Sequence, residues 1–166
     1  MSKLPNYNSY WVIPDQFMAG EYPGHQYNEE QTPYRLDALL EAGITTYIDL
    51  TEANERTPYD PVLKERAGYY GLDVQYHRFS IGDFGTPSLQ NMRVILDSIH
   101  KALARGSKPY VHCWAGMGRT GTVVGCYFNE TGMSGADSLK KVNRLCYYAP
   151  SPQTKGQKEF VRNWQK

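Results

Sequence analysis

The sequence predicts a single α/β domain, residues 1–166, with a central twisted, largely parallel sheet of four to five strands flanked by helices. Two observations carry this reading. Short runs of β-branched and aromatic residues alternate along the chain with segments whose apolar residues recur at helical spacing. The 166 residues, 40% of them apolar, suffice for one core but not for two full domains. Tyr10 to Ile13 and Phe17 to Ala19, parted by Pro14-Asp15, read as two short strands around a turn. A helix is expected from about Glu29 to Ala42, with Leu36, Leu39 and Leu40 on one face and Gly43 as its stop. Ile44 to Leu50 reads as a buried strand, and Thr51 to Pro61 as a polar loop.

A short helix around Val62 to Ala67 and a strand from Val74 to Phe79 follow. After the loop Gly82 to Pro87, Ser88 can cap a helix whose stripe is Leu89, Met92, Ile95, Leu96, Ile99, Ala102 and Leu103, ending near Gly106. Pro109 to His112 is then a strand entering a glycine-rich loop, and Thr120 to Phe128 the helix leaving it. Helices over about Gly135 to Tyr147 and Thr154 to Trp164 complete the chain.

Composition removes several function classes. The longest apolar stretch, Thr122 to Phe128, is far below the roughly 18 residues a membrane span requires, so no membrane insertion is expected. Met1 to Asn6 has no apolar signal core, which points to a cytoplasmic location. Three cysteines argue against a disulfide framework, and no ligand-pair spacing suggests zinc. Nucleic acid is not an expected partner, because there is no basic run. The charge is nevertheless uneven: residues 1–83 hold 6 Lys and Arg against 13 Asp and Glu, residues 84–166 hold 12 against 4. The basic half can present positive potential to an anionic ligand.

The chemistry concentrates in His112-Cys113-Trp114-Ala115-Gly116-Met117-Gly118-Arg119-Thr120-Gly121, between an apolar strand and an apolar helix. Five residues between Cys113 and Arg119 can close a tight ring of converging N–H groups, with Gly116 and Gly118 permitting the unusual backbone. The following helix adds its positive end, which favours a phosphate and a thiolate alike. Arg119 can grip two phosphate oxygens. Cys113 in that field is a nucleophile aimed at phosphorus, Thr120 can donate its hydroxyl to the sulfur, and His112 can fix the loop. Cys126 and Cys146 fall on helical apolar faces and read as buried hydrophobes.

His-Cys, five residues, Arg-Thr-Gly resembles the signature of the cysteine-dependent protein tyrosine phosphatases, in a compact, dual-specificity-like microbial form. The resemblance implies the corresponding fold, no metal or other cofactor, a monomer, and phosphorylated proteins as partners. It implies a general acid on a mobile loop some thirty residues before the nucleophile. Asp83 stands 30 residues before Cys113, within Ile81 to Ser88, with Phe84 beside it as a possible clamp; Asp73 is the reserve, and Asp97 reads as solvated. Gln153-Thr154-Lys155-Gly156-Gln157 resembles the family's glutamine loop, so Gln153 or Gln157 would place the attacking water. Arg56 and Tyr59 are further candidate substrate contacts on the cleft rim. The loop's variable positions, Trp114, Ala115 and Met117, lack the lysines common in phosphoinositide-directed members. The expected reaction is therefore hydrolysis of phosphomonoesters on protein, phosphotyrosine preferred and phosphoserine or phosphothreonine the wider possibility. The alternatives are inositol phosphates, lipids, a small phosphometabolite, or a phosphate-binding module without turnover.

Overall fold

The computed structural model describes residues 4–5, 8–25 and 27–166; most of the N-terminal segment bearing on secretion lies outside them. Five strands, β1 (Ser9–Ile13), β2 (Phe17–Gly20), β3 (Ile44–Asp49), β4 (Gln75–Arg78) and β5 (Lys108–His112), form one sheet in the order β1-β2-β5-β3-β4. The β1–β2 hairpin is antiparallel and every other pairing is parallel. Among the described residues six α-helices flank it: α1 (Thr32–Glu41), α2 (Asp60–Tyr69), α3 (Leu89–Ala104), α4 (Arg119–Glu130), α5 (Gly135–Leu145) and α6 (Lys155–Asn163). No helix among the described residues is long and apolar enough to cross a membrane.

The period of two along the strands divides the core. Met18, Tyr47 and Tyr110 point to the side covered by α1 and α2, where they join Leu36, Leu39, Leu40 and Leu63. Their neighbours Phe17, Ala19, Ile48 and Val111 point to the other side and meet Met92, Ile95 and Ile99 of α3, Val123 and Val124 of α4, and Val161 of α6. Burial of each such large apolar side chain contributes about 1.5–3 kcal/mol. Both faces of β5 are therefore covered, which is why Tyr110, Val111 and His112 are all buried.

The helix expected from Glu29 to Ala42 is two elements. Asn28 caps a 3-10 turn, Glu29–Gln31, and the α-helix begins only at Thr32 with Pro33 in its first turn, where a missing N–H costs no intrahelical bond. The strand expected over Val74 to Phe79 shortens to Gln75–Arg78, and the fifth helix stops at Leu145 rather than Tyr147, with Cys146 leaving helical geometry (ψ 77°). Ser88, Ser134 and Thr154 cap α3, α5 and α6 through their hydroxyls.

Parallel topology brings the chemistry to one edge. Gly20, Asp49 and His112 stand in register at the carboxyl ends of β2, β3 and β5, and Arg78 of β4 pairs with Asp49. The loops following these strands, which carry Tyr22, Glu55 with Arg56, Asp83 and Cys113, consequently gather at one edge of the sheet.

Candidate active site

Residues 113–118 form a ring whose carbonyls are drawn outward by the scaffold. Tyr22 N–H donates to Trp114 O (2.9 Å), Tyr148 Oη to Gly116 O (2.9 Å), Ser151 Oγ to Met117 O (2.6 Å), and Thr122, through N and Oγ1, to Gly118 O (3.0 and 2.8 Å). Cys113 O accepts from His112 Nδ1 at 3.1 Å. In a planar trans peptide the N–H points opposite to the C=O. The N–H groups of Trp114, Ala115, Met117, Gly118 and Arg119 are thereby turned toward the ring's centre. α4 begins at Gly118 without any side-chain cap, so its first donors are left for a ligand.

Gly116 has φ 74°, and a Cβ there would overlap the backbone of Gly20 and Glu21. Both its conformation and its packing demand glycine. Cys113 is 3% exposed, and Thr120 Oγ1 donates to its Sγ at 3.1 Å. His112 is wholly buried, which pushes its pKa down and leaves the imidazole neutral. A carbonyl only accepts, so Nδ1 bears the proton toward Cys113 O. Nε2 then accepts from Tyr59 Oη at 2.7 Å. Tyr59 is 1% exposed, so the expectation that it touches substrate is corrected: it holds His112 from behind.

Arg119 is 2% exposed. Its Nη1 donates to Glu55 Oε2 (2.8 Å) and Ile81 O (2.9 Å), its Nη2 to Glu55 Oε1 (2.5 Å), and Nη2 also lies 3.3 Å from Asp83 Oδ1. Sequence reasoning missed Glu55, because nothing local marks one carboxylate in a polar loop as the partner of an arginine 64 residues away. Partial burial would raise the Glu55 carboxyl, yet hydrogen bonds from Arg119 and from Glu52 N–H outweigh it and hold the carboxyl below its ordinary range. Glu55→Gln keeps the shape and removes the charge. We expect kcat/KM on an aryl phosphate to fall about tenfold or more, with weaker inhibition by inorganic phosphate, because a loosened guanidinium no longer meets the phosphoryl group preoriented. Steady-state kinetics decide it, and unchanged constants would mean that Ile81 O and packing alone place Arg119.

One cavity is lined by Asp83, Phe84, Cys113, Trp114, Ala115, Met117, Gly118, Arg119 and Gln153. Asp83 is thus gathered with Cys113 and Arg119. Asp73, exposed just before β4, lies at the opposite end of that strand, and Asp97 lines a separate groove on α3. The unusual backbone beside Asp83 is at Phe84 (φ 60°), while a Cβ on Gly85 would press against Gly82 O at 2.9 Å. Gly85 therefore serves a close approach. Gln157 does not line the cavity. It is fully buried, its Oε1 accepts from the N–H groups of Gln153 and Thr154, and its Nε2 donates to Gly85 O at 3.2 Å. It ties the start of α6 to the Asp83 loop and leaves Gln153 as the amide facing the cavity. Cys126 is buried in α4 as expected, and burial pushes its thiol up. Cys146 does not sit on a helical face: it follows α5 behind the phosphate-loop ring, with Sγ 3.9 Å from Gly116 O.

A family model described as Tc-R-P, polymorphic toxin system, DSP-PTPase phosphatase, matches residues 23–133. The chain belongs to this phosphatase family. The match places it in the cysteine-dependent protein tyrosine and dual-specificity phosphatase superfamily. Relatives include the Arabidopsis thaliana phosphatidylinositol 3,4,5-trisphosphate 3-phosphatase and protein-tyrosine-phosphatase PTEN1, 31% identical over 92% of this chain and 36% of that protein. The Mus musculus dual specificity protein phosphatase CDC14B is 29% identical over 87% of this chain and 28% of its own length. Among solved structures, the active form of Tk-PTP superposes with a TM-score of 0.78 at 22% identity, covering 94% of this chain and 95% of that one. The chain spans under two thirds of the length of the curated relatives it matches.

Proposed function

We propose that this phosphatase hydrolyses phosphomonoesters on proteins, phosphotyrosine ahead of phosphoserine and phosphothreonine. One observation carries the preference: between the buried Cys113 and the surface, the cavity is walled by Ala115, Met117 and two aromatic residues at its mouth, Phe84 (59% exposed) and Trp114 (42% exposed). Such walls suit a flat aryl ring above the phosphate, and they offer no lysine to a multiply phosphorylated headgroup.

The Cys113 thiolate attacks phosphorus, forming the S–P bond as the P–O bond to the leaving group breaks. Asp83 gives its proton to the departing oxygen. Arg119 and the inward N–H groups hold the equatorial oxygens as charge shifts among them. Thr120 Oγ1, already donating to Sγ, stabilises the thiolate both as nucleophile and as leaving group. Gln153 orients a water whose proton passes to the Asp83 carboxylate, and its oxygen displaces sulfur to release inorganic phosphate. A panel of phosphotyrosine, phosphoserine and phosphothreonine peptides and inositol phosphates, assayed with excess chelator, tests this reading. Highest kcat/KM on phosphotyrosine, unaffected by chelation, is expected. Faster hydrolysis of an inositol phosphate, or loss of activity with the chelator, overturns it.

A further inference from the structure

Beside the catalytic cavity lies a second, shallower groove lined by Glu55, Arg56, Thr57, Asp83 and Trp114. Asp83 and Trp114 line both, so the two adjoin. Arg56 is half-buried, its guanidinium 5.0 Å from the ring centroid of Tyr22 and 5.4 Å from that of Trp114. Among the described residues no carboxylate lies within ion-pair distance of it. Its sequence neighbour Glu55 is turned the other way, with both oxygens on Arg119. Two aromatic rings thus flank the guanidinium at the rim, and it forms no ion pair. Contact with the rings restrains the side chain and so reduces the entropy lost when an anion binds its N–H donors.

We propose that Arg56 is a second anion subsite that recognises a carboxylate side chain flanking the phosphotyrosine of a peptide substrate. The inference rests on the phosphotyrosine reading above and names its substrate more narrowly. Trp114 lines both grooves and lies beside Arg56, so a peptide whose phosphate sits on Cys113 passes Trp114 to reach Arg56. A carboxylate there meets a charge held on aromatic rings, outside the cradle that handles the phosphate.

The test uses phosphotyrosine peptides matched except for Glu, Gln or Lys at each flanking position, with wild-type protein and Arg56→Glu. At the best position, wild type should favour Glu over Gln in kcat/KM by about fivefold, more at low salt, and Arg56→Glu should reverse the order toward Lys. Ratios within each protein cancel any general loss of activity. The same peptides are titrated onto Cys113→Ser and Cys113→Ser/Arg56→Glu proteins, so recognition is read without turnover. A Glu preference in binding with no phosphate released by wild type would uphold the subsite and sink the phosphatase reading. Equal binding of Glu and Gln peptides at every position, or a Glu preference that survives Arg56→Glu, overturns the subsite. So does an inositol bisphosphate that outcompetes every peptide in an Arg56-dependent way.

Discussion

Cys113→Ser is expected to release no measurable phosphate from any phosphomonoester at neutral pH, a loss on the order of 10⁴-fold or more, while still binding phosphotyrosine peptide. The serine hydroxyl stays protonated and is a far poorer nucleophile than a thiolate. The substitution leaves the cradle intact, because that cradle is built from peptide N–H groups whose carbonyls are anchored by Tyr22, Tyr148, Ser151 and Thr122. Thr120 Oγ1 would then donate to an oxygen in place of Sγ. Turnover is followed by phosphate release and binding by calorimetry. Activity within tenfold of wild type would show that sulfur does not attack phosphorus.

Asp83→Asn should slow hydrolysis of a phosphotyrosine peptide by roughly 10²–10⁴-fold, the span typical of general acid catalysis. The loss should depend on the leaving group. An aryl phosphate with an already acidic phenol departs with little need of a proton, so its cleavage suffers less. Substrate binding should not weaken, because the amide also removes the negative charge now 3.3 Å from Arg119 Nη2, where an incoming phosphate competes with it. Asp73→Asn should behave as wild type, since that side chain is exposed at the far end of β4. Equal losses on both leaving groups with Asp83→Asn, or a leaving-group-dependent loss with Asp73→Asn, would move the acid elsewhere.

These two variants probe residues found by different kinds of signal. Cys113, Arg119 and Thr120 share one strand–loop–helix segment, where spacing along the chain is nearly spacing in space. Glycines at 116 and 118 mark the turn, and the apolar strand and helix on either side say how the loop is held. Asp83 was legible only through its distance from Cys113 in a family-like loop. Asp83 follows β4, which runs parallel beside β3 and hence β5, and this accounts for its arrival in the same cavity.

Residues 52–59 show where reading along the chain runs out. Their polarity suits any surface loop, and it does not reveal that Glu55 turns inward to Arg119, that Tyr59 supports the neutral His112, or that Arg56 lies over the rings of Tyr22 and Trp114. Likewise nothing local separates Gln153 from Gln157, whose division of labour comes from one amide being used up by the α6 capping box and Gly85 O. Apolar periodicity and turn residues report which face of an element is buried and where it stops, so the alternating α/β elements and the phosphate loop could be read in one dimension. Apart from the local contacts of Thr122 with Gly118 and of His112 with Cys113, the partners of Arg119, His112 and the ring carbonyls are separated from them by 32 to 92 residues of chain. Such contacts leave no periodic trace: they exist because parallel strands bring their following loops to one edge, and a buried charge or carbonyl takes the hydrogen-bonding partner that packing delivers there.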